Sequence, residues 1–210
     1  MSQVLVISPH PDDESIGCGG TLRQHVLSGD TVRVLFLTSG ENGGHGRTPE
    51  LTVAVREREA HDAAQVLGVT ELDFWRQPDG KLRATAELVE RLVRVLRRRR
   101  PSIIYAPHDD EMHPDHRAAT RLVRRAVSAL PENRRPEVRL YEVWTPLQIL
   151  DEIIDITSTI EVKLQAVRMY RCQCDVLSFD DAVQGLNRYR GEMHCWPEGE
   201  YAEVFRRLPR

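Results

Sequence analysis

The chain has 210 residues, 40% of them hydrophobic and 29% charged, with a formal net charge of −3. That balance suits a single globular domain spanning 1–210 and excludes a general nucleic-acid binder, which would carry a basic surplus. No run reaches the roughly 20 apolar residues of a spanning helix, and the Met-Ser-Gln start shows no charged n-region or apolar h-region. A soluble, cytoplasmic protein without nucleic-acid or membrane partners is therefore expected.

Taken in chain order, strand-like and helix-like patterns alternate. QVLVIS (3–8), TVRVLFLT (31–38), ELDFW (71–75), SIIYAP (102–107) and VRLYEVW (138–144) are rich in β-branched and aromatic residues, which predicts strands. Amphipathic stretches at about 17–29, 50–67, 84–100 and 115–130 lie between them. In LVERLVRVLRRRR, Leu88, Leu92, Val95 and Leu96 repeat at helical spacing, and Arg97 to Arg100 close the helix before Pro101. Those arginines suit a helix C-terminus on a solvated face. Four rounds of alternation predict an α/β domain with a Rossmann-like, doubly wound, mostly parallel sheet and helices on both faces. After 150 the pattern changes. IIDIT (153–157) reads as a strand or strand extension, and the rest, from STIEVKLQAVRMYRCQ through YAEVFRRL, is expected to form a helical C-terminal cap.

Cys18, Cys172, Cys174 and Cys195 are few for this length. Together with His194 their spacing matches no standard zinc module, so free thiols are expected. GCGG (17–20) lacks the G-x-G-x-x-G spacing, and three acids stand where a pyrophosphate would lie, so close packing is the better account of those glycines.

Two polar clusters fall at the C-terminal ends of predicted strands, where parallel sheets gather ligands. HPDDE (10–14) follows the first strand and HDDEMHPDH (108–116) follows the fourth. Between them they offer His10, Asp13, His113 and His116, with Asp12 and Asp115 to spare. Two imidazoles and one carboxylate with open positions form the donor pattern of a catalytic metal site. Zinc is the first choice of ion, and Fe(II) accepts the same set. Each loop alone also reads as a turn and helix cap, but two H-P-D cores at two strand ends favour a shared site.

The chain resembles the PIG-L (LmbE-like) family of zinc-dependent N-acetylglucosaminyl deacetylases. The likeness runs through PHPDDE (9–14), LTSGENG (37–43), RERE with LGV downstream (56–69), HPDH (113–116), YEVWTP (141–146), DIT and KLQAVRMYRCQ (155–173) and YAEVF (201–205). YEVWTP and DIT look most like the bacillithiol-pathway branch, the GlcNAc-malate deacetylases. The resemblance implies one zinc, or another divalent ion such as Fe2+, held by His10, Asp13 and His116. It implies Asp12 as general base, His113 as oxyanion stabiliser with Asp115 orienting its ring, and Arg56 facing an N-acetylated amino sugar. It also implies a homo-oligomer, trimeric or hexameric. Ser8 and Cys172 depart from the usual alanine and serine, and Glu111 stands where branches vary.

Two other classes fit the donor pattern. A 2-His-1-carboxylate Fe(II) oxygenase would need O2, and a non-catalytic sugar- or metabolite-binding domain with a bound cation would release no acetate. Asp12, acidic and beside Asp13, favours hydrolysis.

Overall fold

Val4, Leu5, Val6 and Ile7 are all buried, which a strand permits when both of its faces are covered. They form the centre of β1 (Gln3–Ser8), with Val4 and Val6 in one core and Leu5 and Ile7 in another on the opposite face. The structure is a computed structural model that describes residues 1–195, 197 and 199–209. After β1 come α1 (Asp13–Leu27), β2 (Thr31–Thr38), α2 (Pro49–Leu67), β3 (Glu71–Gln77), α3 (Ala86–Arg99), β4 (Ile103–Pro107) and α4 (Pro114–Ser128). The chain continues through β5 (Glu137–Tyr141), β6 (Glu152–Asp155), α5 (Ile160–Met169), α6 (Arg171–Cys174), α7 (Phe179–His194) and β7 (Ala202–Arg207).

The seven-stranded sheet has the order β3-β2-β1-β4-β5-β7-β6. The first five run parallel, and β7 is antiparallel to both β5 and β6. Side chains of α3 and α4 fill the core on one face, and those of α1, α2 and α5 fill the other. This is the expected doubly wound arrangement. Chain direction diverges between the neighbours β1 and β4, so the crevice at their C-terminal ends is the switch point. Among the described residues, no helix is long and apolar enough to cross a membrane.

The C-terminal region forms helices α5 to α7, as expected of a cap, but YAEVFRRL is not helical. Ala202 to Phe205 are buried and lie in β7, which lies between β5 and β6 and pairs with both. Two buried charges fasten this region to the sheet. Lys163 Nζ donates to Glu203 Oε1 at 2.6 Å, and Glu203 also accepts from the N–H groups of Gly20 and Thr21. The GCGG glycines serve packing. A Cβ at Gly17 would overlap the Tyr141 ring, and one at Gly20 would lie 2.9 Å from Ile156. Helix α1 accommodates this approach with a kink at Cys18.

Candidate active site

The first loop leaves β1 at Ser8 and re-enters helix at Asp13. Asp12 sits at the junction with φ 134°, a conformation that a residue bearing a side chain holds only when its surroundings enforce it. Its N–H donates to Glu14 Oε2 at 3.2 Å, and its carbonyl accepts from Ser15 and Ile16 at 3.0 and 2.9 Å. Glu14 is buried and also accepts from Ser15 Oγ (2.6 Å) and the Tyr170 hydroxyl (2.5 Å). The turn thereby sends three consecutive carboxylates to different partners: Asp12 to Arg56, Asp13 to His10 and His116, and Glu14 to Tyr170.

The second loop leaves β4 at Pro107 and ends at Pro114, the first residue of α4. His113 caps α4, its Nδ1 accepting from the Asp115 N–H at 3.2 Å. A neutral imidazole that accepts at Nδ1 carries its proton on Nε2, so this ring can offer a donor to a ligand. Burial and the nearby rings of His10 and His116 depress its pKa and favour the neutral form.

The two loops meet. Asp13 Oδ2 lies 3.1 Å from His10 Nδ1 and 3.2 Å from His116 Nε2. His10, His113 and His116 can each offer a ring nitrogen within 4.8 Å of the others, and His10, Asp79 and Asp115 meet the same limit. Burial opposes ionisation of Asp13, but His116 and His10 outweigh it and hold the carboxyl far below the usual range. Burial also opposes a charged His10, and there Asp115, Asp13 and Asp79 outweigh it and raise the pKa. Both nitrogens of His116 are buried without a hydrogen-bond partner. An imidazole so placed is unfavourable unless something accepts its lone pair. Neutral imidazole and ionised carboxylate are the donors that zinc and its neighbours take. The residues present fit a divalent cation.

Asp12 is buried beside this set. Burial pushes its pKa up to about 8, against the pull of Arg56 and with the push of Asp13. Arg56 lines the cavity, as a substrate-facing residue must; its two terminal guanidinium nitrogens are engaged, and its Nε is buried without a partner. It donates to Asp12 Oδ2 at 2.9 Å, to the Pro11 carbonyl at 2.6 Å and to the Gly40 carbonyl at 3.2 Å. Its direct partner is the carboxylate of Asp12.

The expected contact between the Asp115 carboxylate and His113 is not made. The N–H groups of Gly80 (2.7 Å) and Leu82 (3.1 Å) take that carboxylate, and His10 Nε2 lies 3.4 Å from it. The first turn of α4 leaves the Asp115 backbone, not its side chain, facing the His113 ring. The Asp115 N–H therefore orients His113 while its carboxylate orients His10.

Of two further acids at the site, Asp79 carries no signal in the paired loops, and Glu111 stands out in the sequence only as a variable position. Asp79 lies 3.1 Å from His10 Nε2 and accepts from the Asn42 N–H at 3.0 Å. It sits in Gln-Pro-Asp-Gly after β3, and the strand-end rule applied to that turn would have found it. Glu111 accepts at Oε1 from the Val143 and Trp144 N–H groups (2.7 and 3.0 Å), and its Oε2 lies 3.7 Å from His116 Nδ1. The four cysteines are free, and Cys172 donates to Glu59 Oε2 at 2.8 Å.

His10, Asp12, Asp13, Arg56, Asp79 and His113 line the polar side of a cavity of about 340 Å³. Trp144, Val176, Leu177 and Phe179 add an apolar side, where Trp144 and Phe179 pack edge to face with ring centroids 5.5 Å apart.

Comparison with known proteins accords with this geometry. A diacetylchitobiose deacetylase of Thermococcus kodakarensis is 35% identical over 224 residues, covering 95% of this chain and 82% of the relative. A Bacillus cereus protein named "Probable N-acetyl-alpha-D-glucosaminyl L-malate deacetylase 2" is 29% identical over 199 residues, covering 88% and 90%. The crystal structure of GalB, the 4-carboxy-2-hydroxymuconate hydratase of Pseudomonas putida KT2440, aligns with TM-score 0.86 and 26% identity over 100% of this chain and 98% of that one. Residues 5–127, more than half of the chain, match the PIG-L family described as GlcNAc-PI de-N-acetylase, and the chain belongs to that family.

Proposed function

We propose that the protein is a metal-dependent hydrolase that removes the acetyl group from an N-acetylglucosamine-type amide. The observation that carries this reading is the buried Asp12 carboxylate, held by Arg56 beside His10, Asp13 and His116. Those three residues would hold one divalent cation, zinc first and Fe2+ second, which when bound polarises the acyl oxygen and acidifies water.

The chain's own groups supply the rest. Asp12 takes the proton of the attacking water, a general-base task open to a buried carboxylate held beside the ion site. Arg56 holds that carboxylate in position. His113 donates its Nε2–H to the acyl oxygen as negative charge develops there, a contribution of roughly 3 kcal/mol by precedent. The proton taken up by Asp12 passes to the departing nitrogen as the C–N bond breaks, so acetate and a free amine leave and Asp12 is again a carboxylate.

The names of the Thermococcus and Bacillus relatives support the amino-sugar class, and GlcNAc-malate is one member of it. The likeness to GalB supplies the rival reaction, hydration of an unsaturated carboxylic acid. A fluorescamine assay for released amine over a panel of N-acetylglucosaminides tests the proposal, with metal content measured in parallel. Amine release that a chelator abolishes and zinc restores is expected. No release from any member of the panel, with hydration of the unsaturated acid instead, would replace hydrolase with hydratase.

A further inference from the structure

Glu111 is buried between two loops that leave the sheet at the C-terminal ends of the neighbouring strands β4 and β5. The loops are laced together around it. His108 Nε2 lies 2.7 Å from the Thr145 carbonyl, and the Met112 N–H donates to Thr145 Oγ1 at 2.9 Å. The Glu111 carbonyl accepts from the Arg117 guanidinium at 2.6 Å, which pins the backbone from the side of α4.

The two oxygens of its carboxylate have different duties. Oε1 accepts from three consecutive N–H groups, those of Val143, Trp144 and Thr145, at 2.7, 3.0 and 3.4 Å. Successive N–H groups that converge on one anionic oxygen shape their turn around it, so Oε1 sets the path of the segment that carries Trp144. The Trp144 ring in turn lines the cavity and packs on Phe179. Among the described residues, Oε2 has no hydrogen-bond partner and neither has His116 Nδ1, yet these two buried atoms lie 3.7 Å apart. Closing that gap by about 0.7 Å would join them in a hydrogen bond. A neutral imidazole that offers the lone pair of Nε2 to an ion carries its proton on Nδ1, and in His116 that proton faces Oε2. Ligating histidines commonly rest their second N–H on a carboxylate. Here the same carboxylate also anchors the substrate-side wall.

We propose that Glu111 is a positioning residue that couples the ion site to the Trp144 wall. Engagement of His116 Nε2 draws Oε2 and Nδ1 together, and Oε1 carries the movement to residues 143–145. This coupling rests on the reading of His116 as an ion ligand, and it adds an order of events: the Trp144 wall is set for substrate once the ion is in place.

The test reads Trp144 itself. Protein labelled with fluorotryptophan is titrated with zinc and followed by fluorine NMR, with Trp144→Phe identifying the resonance. Zinc affinity is measured by chelator competition in the wild-type and Glu111→Gln proteins. The glutamine amide keeps its oxygen toward the three N–H groups, because its nitrogen cannot accept, and so turns that nitrogen to His116 Nδ1. This favours the tautomer protonated on Nε2, which opposes the ion. The wild-type Trp144 resonance is expected to shift as zinc binds. In Glu111→Gln zinc affinity should fall by about tenfold or more, and at saturating zinc the Trp144 shift should vanish. An indole that senses zinc through space would keep its shift in the variant. Glu111→Asp, one methylene shorter, cannot reach both partners and should also lose the shift, which keeps the test decisive if Glu111→Gln does not fold. A shift that persists in either variant with zinc bound, a wild-type resonance that zinc leaves unmoved, or unchanged zinc affinity in Glu111→Gln would each overturn the coupling. Wild-type protein that releases amine without the shift would keep the hydrolase reading and lose the coupling. Wild-type protein that binds neither zinc nor Fe2+ would lose both.

Discussion

Replacing Gly17 by alanine sets two effects of opposite sign against each other. Gly17 lies inside α1 without a positive φ, so helix propensity alone predicts that alanine stabilises by about 1 kcal/mol. Packing predicts the reverse. The new Cβ would stand 2.8 Å from both Cε2 and Cγ of Tyr141 and closer still to Cδ2. That ring cannot swing away, because it is fully buried and its hydroxyl donates to the Ile7 carbonyl at 3.0 Å. Overpacking of this kind costs about 1–3 kcal/mol, and an unyielding neighbour puts Gly17 at the upper end. A net loss of about 2 kcal/mol is expected, with weaker metal retention because the first turn of α1 carries Asp13. Gly185 is the control. It is exposed inside α7, a Cβ there meets nothing within 4 Å, and Gly185→Ala should stabilise by up to about 1 kcal/mol. Urea denaturation of the two variants decides the matter. Stabilisation of both would refute the packing argument and, with it, the account of GCGG.

Lys163→Met leaves the buried Glu203 without its cation and should cost about 3 kcal/mol in the same assay, whereas a change below about 1 kcal/mol would make the pair incidental. Glu111→Gln should weaken metal affinity by about tenfold or more in chelator competition, since Glu111 faces His116 Nδ1; unchanged affinity would remove it from that role. The pH dependence of the metal-free protein has a definite sign. Burial raises Asp12 from 3.8 to about 8, and at His10 the surrounding carboxylates outweigh burial and lift the pKa above 6.5. Both groups hold protons more tightly folded than unfolded, so their stabilisation is complete at low pH and fades as pH rises through the folded values. Stability without metal should therefore fall from about pH 5 to pH 9, and less steeply in Asp12→Asn. Stability that climbs over that interval would contradict the buried placement of these groups.

Much of the fold was legible because each of its signals is local. Strands buried on both faces read as continuous apolar runs, as in VLVI and VLFL, and strand-end chemistry then follows from the direction of a parallel sheet. His10, Asp12, Asp13, His113, Asp115 and His116 do converge, as the paired H-P-D loops implied. What was not legible depends on partners distant in the chain. Glu14 acquires its role from Tyr170, 156 residues away, and the Asp115 carboxylate turns to His10 across 105 residues. Arg56, expected to face substrate, does line the cavity, but its hold on Asp12 was not legible, because it depends on the carbonyls of Gly40 and Pro11 that fix its guanidinium. YAEVFRRL carries no strand boundary of its own; it becomes β7 because strands β5 and β6 both pair with it.

In the proposed hydrolysis Asp12 is the base, and His10, Asp13 and His116 hold the ion. The most direct measurement sets acetate release from an N-acetylglucosaminide beside zinc stoichiometry in the wild-type and Asp12→Asn proteins. Equal zinc content is expected, with a loss of turnover of about 100-fold or more in the variant. Zinc lost from Asp12→Asn, or acetate released at the wild-type rate, would contradict that assignment.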